Sequence, residues 1–257
     1  MATGEVSGPA RHFSASAAGY AATMAPSLRP MAAEVVRRAR LRPNEDVLDI
    51  GTGTGTAAAM ARGDGRRVVG LDAAEGMLAI ARVEVDGVTF VNHDFADLPF
   101  ADASFDAALS VHALLFADDQ GAVLREWRRV VRPGGRLSLS VPGPDDLTPQ
   151  ALYRSIYEEH GLEVSGRYPS TDALGDIGSE AGWFDVAVEA DGTTAIRLPD
   201  EAAFRTWYRI GPRGGATAHF TPEQHRSLCD AMLAITPREP DGGFRIPFGT
   251  IYLTASA

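Results

Sequence analysis

The feature that most constrains the fold is Val47-Leu48-Asp49-Ile50-Gly51-Thr52-Gly53-Thr54-Gly55, followed by Thr56-Ala57-Ala58-Ala59-Met60-Ala61. The apolar run of Val47, Leu48 and Ile50 suits a strand buried on both faces of a parallel sheet. Alternate glycines then let the backbone turn sharply and approach a ligand that a Cβ would hold off. The helix behind them presents unpaired N–H groups and the positive end of its dipole. Strand, glycine loop and helix in this order predict an α/β fold with a nucleotide-type cofactor at the strand tips.

Two readings compete for that cofactor. A dinucleotide fingerprint runs G-x-G-x-x-G, with the third glycine packing helix on strand. Here the spacing is G-x-G-x-G, and Thr56 stands in the third glycine's place. Asp49 inside the strand is a poor neighbour for a pyrophosphate and a good one for an ammonium group. The nonapeptide resembles motif I of the class I S-adenosylmethionine (SAM)-dependent methyltransferases, small-molecule type, close to the ubiquinone and menaquinone biosynthesis group. That resemblance implies a Rossmann-like, seven-stranded, mostly parallel sheet with helices on both faces, an N-terminal helical segment and a helical cap. It also implies SAM as cofactor, S-adenosylhomocysteine as product, and cofactor contacts from Asp49, Gly51, Thr52, Gly53 and Gly55.

Later motifs follow in the family's order. Arg66–Asp72 predicts a second strand ending in a carboxylate that would accept both hydroxyls of a ribose, a feature shared with dinucleotide enzymes. The turn Ala73-Ala74-Glu75-Gly76-Met77-Leu78 resembles the family segment in which a methionine packs on the adenine, which adds Ala73 and Met77; a core methionine is the plainer alternative. His93-Asp94-Phe95-Ala96-Asp97-Leu98-Pro99-Phe100 resembles the adenine-binding segment, implying Asp94 and the backbone of Phe95. Ser104–Ser110 predicts the fourth strand, so Ser110, Val111 and His112 should face the transferred methyl. His112 is the candidate general base from its near-neutral titration, and a wall residue otherwise. Gln120–Val131, Arg132-Pro133-Gly134-Gly135-Arg136 and Leu137–Val141 read as a helix, a structural turn and the fifth strand.

Outside this stretch the resemblance thins. Residues 1–46 are expected to form an N-terminal helical segment, with Met1–Gly8 frayed and a helix over Pro30–Arg40. Tyr20 either reaches the methionine end of the cofactor, as the resemblance implies, or packs at a helix end. Residues 47–142 are the SAM-binding core. Residues 143–257 hold the rest of the sheet, including strands over Trp183–Ala190 and Phe248–Thr254, and a cap over about 145–168 and 199–245. Helices are expected at Thr148–Gly161, Asp172–Gly182, Asp200–Ile210 and Thr221–Thr236, with a mobile turn at Gly211–Gly215. The cap aromatics Tyr153, Tyr157, Trp207 and Tyr208 are the candidates for substrate contact.

Composition removes several classes. All 24 basic residues are arginine, which excludes a pyridoxal-phosphate lysine, a P-loop lysine and the Tyr-x-x-x-Lys hydride site of a NAD(P)-dependent oxidoreductase. Cys229 is the lone cysteine, so no internal disulfide or thiolate zinc cage can form, and no metal set is expected. A net charge of −10 argues against general affinity for nucleic acid or anionic membrane. With no signal-peptide pattern or membrane-length apolar run, a cytoplasmic monomer or homodimer acting on a small molecule is expected. The resemblance implies methyl transfer from SAM to an oxygen, nitrogen or carbon nucleophile. The alternatives are a protein of the same fold that uses SAM structurally in a cyclisation or rearrangement, and a non-catalytic binding module.

Overall fold

A computed structural model describes residues 8–162, 169–210, 217 and 219–257. Helix α1 (Gly8–Arg38) is followed by β1 (Asp46–Ile50), α2 (Thr56–Ala61), β2 (Arg67–Asp72), α3 (Glu75–Glu84), β3 (Val88–Asn92), β4 (Phe105–Val111), α4 (Gln120–Val130) and β5 (Val131–Pro142). Then come α5 (Pro149–Leu152), α6 (Arg154–Glu159), α7 (Thr171–Glu180), β6 (Phe184–Asp191), β7 (Ala195–Leu198), α8 (Glu201–Ile210), α9 (Pro222–Ile235), β8 (Phe244–Pro247) and β9 (Thr250–Ser256). Seven strands make one sheet in the order β3-β2-β1-β4-β5-β9-β6, parallel throughout except for β9. The winding direction reverses between β1 and β4, which opens a crevice at their carboxyl ends.

Alternation along β1 feeds two cores. Leu48 and Ile50 pack with residues of α4 and α7, whereas Val47 packs with Val35 of α1 and Ala58 of α2. Asp49 shares the parity of Val47 and meets the start of α2. A third cluster joins Met24, Leu28 and Met31 of α1 to Tyr153, Phe204, Trp207, Met232, Phe244 and Ile246. This is the cap. Helix α1 is shared between it and the sheet.

The structure departs from the sequence expectations in four places. The helix expected at Pro30–Arg40 is the last third of α1, which runs through Pro26 and Pro30. Each proline removes one N–H donor. The helix persists because its buried face, including Ala17, Met24, Leu28, Met31 and Val35, packs along its length. The helix expected at Thr148–Gly161 is divided at Tyr153 into α5 and α6. Between Phe105↔Val131 and Ala107↔Arg136 the pairing of β4 with β5 shifts, so Arg132–Gly135 bulges out as the expected turn inside one long strand. The antiparallel ribbon of β7 and β8 was not anticipated. All but Gly8 of the frayed start expected at Met1–Gly8, the end of the cap segment at 163–168 and the whole turn at Gly211–Gly215 lie outside the described residues.

Candidate active site

The glycine loop leaves β1 with three left-handed residues, at φ of 70° for Gly51, 55° for Gly53 and 82° for Gly55. Their surroundings differ. A Cβ on Gly51 would lie 2.3 Å from Ala113 Cβ, and one on Gly55 would press on Phe90 and Val85, whereas one on Gly53 would meet open space. Gly55 thus does the helix-on-sheet packing that the dinucleotide pattern assigns to a later glycine. Asp49 holds the loop from inside: its Oδ2 accepts from Thr52 Oγ1 at 2.6 Å and from Ala58 N at 3.0 Å. Burial pushes its carboxyl up to about 6.

At the tip of β2, Asp72 Oδ2 accepts from Gly53 N and Oδ1 accepts from Ala74 N, both at 2.8 Å. Burial raises this carboxyl above the usual carboxylate range. The Tyr20 phenol stays protonated, raised by burial and then by the charge of Asp72. Asp94 caps its own turn by accepting from Ala96 N at 2.8 Å. Helix α4 fixes that loop: Trp127 Nε1 donates to the Phe95 carbonyl, Glu126 accepts from Leu98 N, and Arg129 donates to the carbonyls of Leu98 and Phe100. The sequence motif around Glu126–Arg129, read as purely structural, therefore positions a wall of the site.

These walls enclose a cavity of about 570 Å³. Tyr20, Gly51, Gly53, Asp72, Ala73 and Met77 line it, as do Asp94, Phe95, Val111 and His112. His112 is 7% exposed, adopts a left-handed φ of 54°, and stacks on Phe248 with ring centroids 5.2 Å apart. Among the described residues neither of its ring nitrogens has a hydrogen-bond partner, and burial pushes its pKa down to about 3.

The other expected site residues lie off this wall. Asp49, Thr52 and Gly55 act behind the loop rather than on its surface. Ser110 lies outside the lining, and its hydroxyl turns into the sheet and donates to the Ile50 carbonyl at 3.0 Å. Tyr153, Tyr157, Trp207 and Tyr208, the candidates for substrate contact, lie outside the cavity lining. Tyr153 pairs with Thr236 Oγ1 at 2.8 Å, Tyr208 with His225 Nδ1 at 3.0 Å, and Tyr157 and Trp207 are buried among cap residues. Large aromatics there make the cap's own core. Sequence reasoning missed Phe13, Met24, Leu28, Phe116 and Phe248, which do line the cavity. The spacing of Phe13, Tyr20, Met24 and Leu28 on one helical face was the available signal, obscured by Pro26.

With that geometry in hand, similarity to known proteins has a physical counterpart. A methyltransferase-domain family model matches residues 48–139, which run from the glycine loop through β5. Over 197 residues the chain is 32% identical to a demethylmenaquinone methyltransferase from Clavibacter sepedonicus, covering 74% of this chain and 71% of that one. An O-methyltransferase from Pyrenophora dematioidea is 33% identical over 160 residues, 60% of this chain, and the match spans only 59% of that relative. A SAM-dependent methyltransferase from Thermotoga maritima shares the fold at a TM-score of 0.58 and 20% identity, over 96% of this chain and 99% of its own. Family model, relatives and sheet order agree: the chain belongs to the class I SAM-dependent methyltransferases.

Proposed function

We propose that the cavity holds SAM beside a small-molecule acceptor, and that the chain directs methyl transfer to an oxygen, nitrogen or carbon nucleophile by in-line displacement. The observation that carries this reading is Asp72, a half-buried carboxylate on the cavity wall. Its two oxygens already take N–H groups from Gly53 and Ala74 and keep lone pairs for a ribose diol. The rest of the wall fits the same ligand. Gly53 leaves open space where a side chain would stand. Met77 and Phe95 offer faces for a purine, with Asp94 beside them to accept from an exocyclic amine. Asp49 and Thr52 keep the loop in shape for the amino-acid tail, and Tyr20 closes over it from α1.

When bound, SAM supplies a methyl carbon made electrophilic by its sulfonium. The protein's task is then to align, to exclude water and to take at most one proton. Apolar residues of α1 and Phe248 exclude water, and His112, a neutral imidazole in the lining, is the candidate proton acceptor. A cavity of about 570 Å³ lies within the roughly 300–1,000 Å³ range typical of a small-ligand site. It has to take the cofactor as well, which favours a small acceptor over a protein tail or nucleic acid.

Calorimetric titration with SAM and with NADPH tests the cofactor: SAM should bind and NADPH should not. Incubation with SAM and a panel of small acceptors, followed by mass spectrometry, should give products heavier by one methylene. Binding of SAM with no such gain on any acceptor, but with isomerisation of one, would replace transfer by a cyclisation or rearrangement.

A further inference from the structure

We propose that Ser14 is a positioning residue for the cofactor: its hydroxyl caps α3 from the neighbouring helix α1, so that seating of α1, order at the start of α3 and cofactor binding form one linked equilibrium. The inference rests on the proposed function and adds to it how one wall of the cavity is held. Three observations lead to it.

The first turn of a helix leaves backbone N–H groups without helical acceptors, and a Ser, Thr, Asp or Asn at the N-cap ordinarily accepts from one of them. Helices α4, α7 and α9 follow that rule with Asp119, Ser170 and Thr221. Helix α3 does not: Ala74 stands at its N-cap and makes no side-chain bond. Ser14 Oγ of α1 accepts from Gly76 N at 3.2 Å instead, from a position 62 residues away in the chain.

The packing around that bond is close. A Cβ on Gly76 would lie 2.3 Å from the Ser14 carbonyl oxygen, so the two helices approach this closely only over a glycine. Beside it, Phe13, Ala17 and Tyr20 of α1 pack with Ala74 and Met77 of α3.

Ser14 and Gly76 are outside the cavity lining, but their neighbours Phe13, Ala74 and Met77 are part of it. The same turn holds the ribose carboxylate, since Asp72 Oδ1 accepts from Ala74 N at 2.8 Å. Loosening the start of α3 therefore loosens Asp72 and the Met77 face together. By linkage, a cofactor that uses both favours the seated α1, and the seated α1 raises the cofactor's affinity by the same factor.

Calorimetric titration of the full chain with S-adenosylhomocysteine tests the assignment. Ser14→Ala should bind it roughly fivefold more weakly, the scale of one helix cap. Adding Ala74→Ser supplies a cap from within α3 and should recover most of that loss, which a packing defect at Ser14 would not allow. Gly76→Ala should weaken binding by about tenfold or more, although alanine is the better helix former. In the native protein, the ligand should slow amide exchange at Gly76 and along residues 10–22 of α1 by a common factor. Native affinity in Ser14→Ala or Gly76→Ala, no recovery in the double variant, or slowed exchange in one helix without the other would each overturn the inference and leave the proposed function standing. A native protein that binds no S-adenosylhomocysteine overturns both. Should the variants fail to fold, the exchange comparison on the native protein decides.

Discussion

At the strand tips the cavity wall is backbone, held by carboxylates that lie close in the chain: Asp49 and Asp72 fix Thr52, Gly53, Ala58 and Ala74. Elsewhere the lining is side chain, including Met24 and Leu28 of α1, Pro142 and Phe248, segments far apart in sequence. The first part depends on glycine conformations and on N–H groups aimed by short loops. The second depends on how α1 and the approach to β9 pack, so it can change its occupant by changing side chains. One cavity thus joins a wall determined locally to a wall determined by packing.

The largest effect expected from this contrast is at Gly51. A valine there combines a left-handed backbone with a 2.3 Å clash on Ala113 Cβ and should cost about 2–5 kcal/mol in urea unfolding. Gly53→Ala should cost only about 1–2 kcal/mol of stability, since its Cβ meets no atom, but should weaken SAM binding in calorimetry. Equal stability losses at the two positions would break the distinction between a packed and an open glycine.

Next come the carboxylates. Asp72→Ala and Asp94→Ala should each weaken SAM binding by about 1–3 kcal/mol, read by calorimetry. Unchanged affinity in both would remove the cofactor from that end. Tyr153→Phe sharpens the comparison from the cap side. Loss of its bond to Thr236 should cost about 1 kcal/mol of unfolding free energy and leave SAM affinity alone.

The smallest effect is in pH dependence, where the two ends should oppose one another. Burial raises Asp49 from 3.8 to about 6, so the folded state binds more protons in that window and the group's contribution to stability falls as pH rises through it. Burial lowers His112 from 6.5 to about 3, so the folded state binds fewer protons and its contribution rises with pH. Urea titrations should show Asp49→Asn gaining on the native protein as pH rises from 3.8 to about 6. They should show His112→Asn losing ground between about 3 and 6.5. Parallel slopes would mean that one of the two is not buried in solution as it is here.

Much of the cofactor end was legible because its determinants are short-range. The apolar run at Val47–Ile50, the glycines after it and the carboxylate ending β2 are each read within a few residues. The bond of Ser110 was not legible, because strand alternation gives its face but not which carbonyl its hydroxyl will find. The place of the cap aromatics was not legible for a related reason: a large ring on an amphipathic helix reads the same whether it fills a core, as these do, or lines a cavity. Helix α1 was cut short because two prolines outweigh local propensity until packing along the whole helix is known.

By itself, the sequence determined the strand–glycine–helix unit, the order of the parallel strands' motifs and the absence of lysine chemistry. All of these rest on backbone conformation and residue type, which act locally. Tertiary structure alone decided that α1 would serve sheet and cap together, that Phe248 would lie against His112, and that this histidine would be left without a partner. Those outcomes depend on burying apolar surface between segments distant in the chain, an energy that no short window of sequence contains.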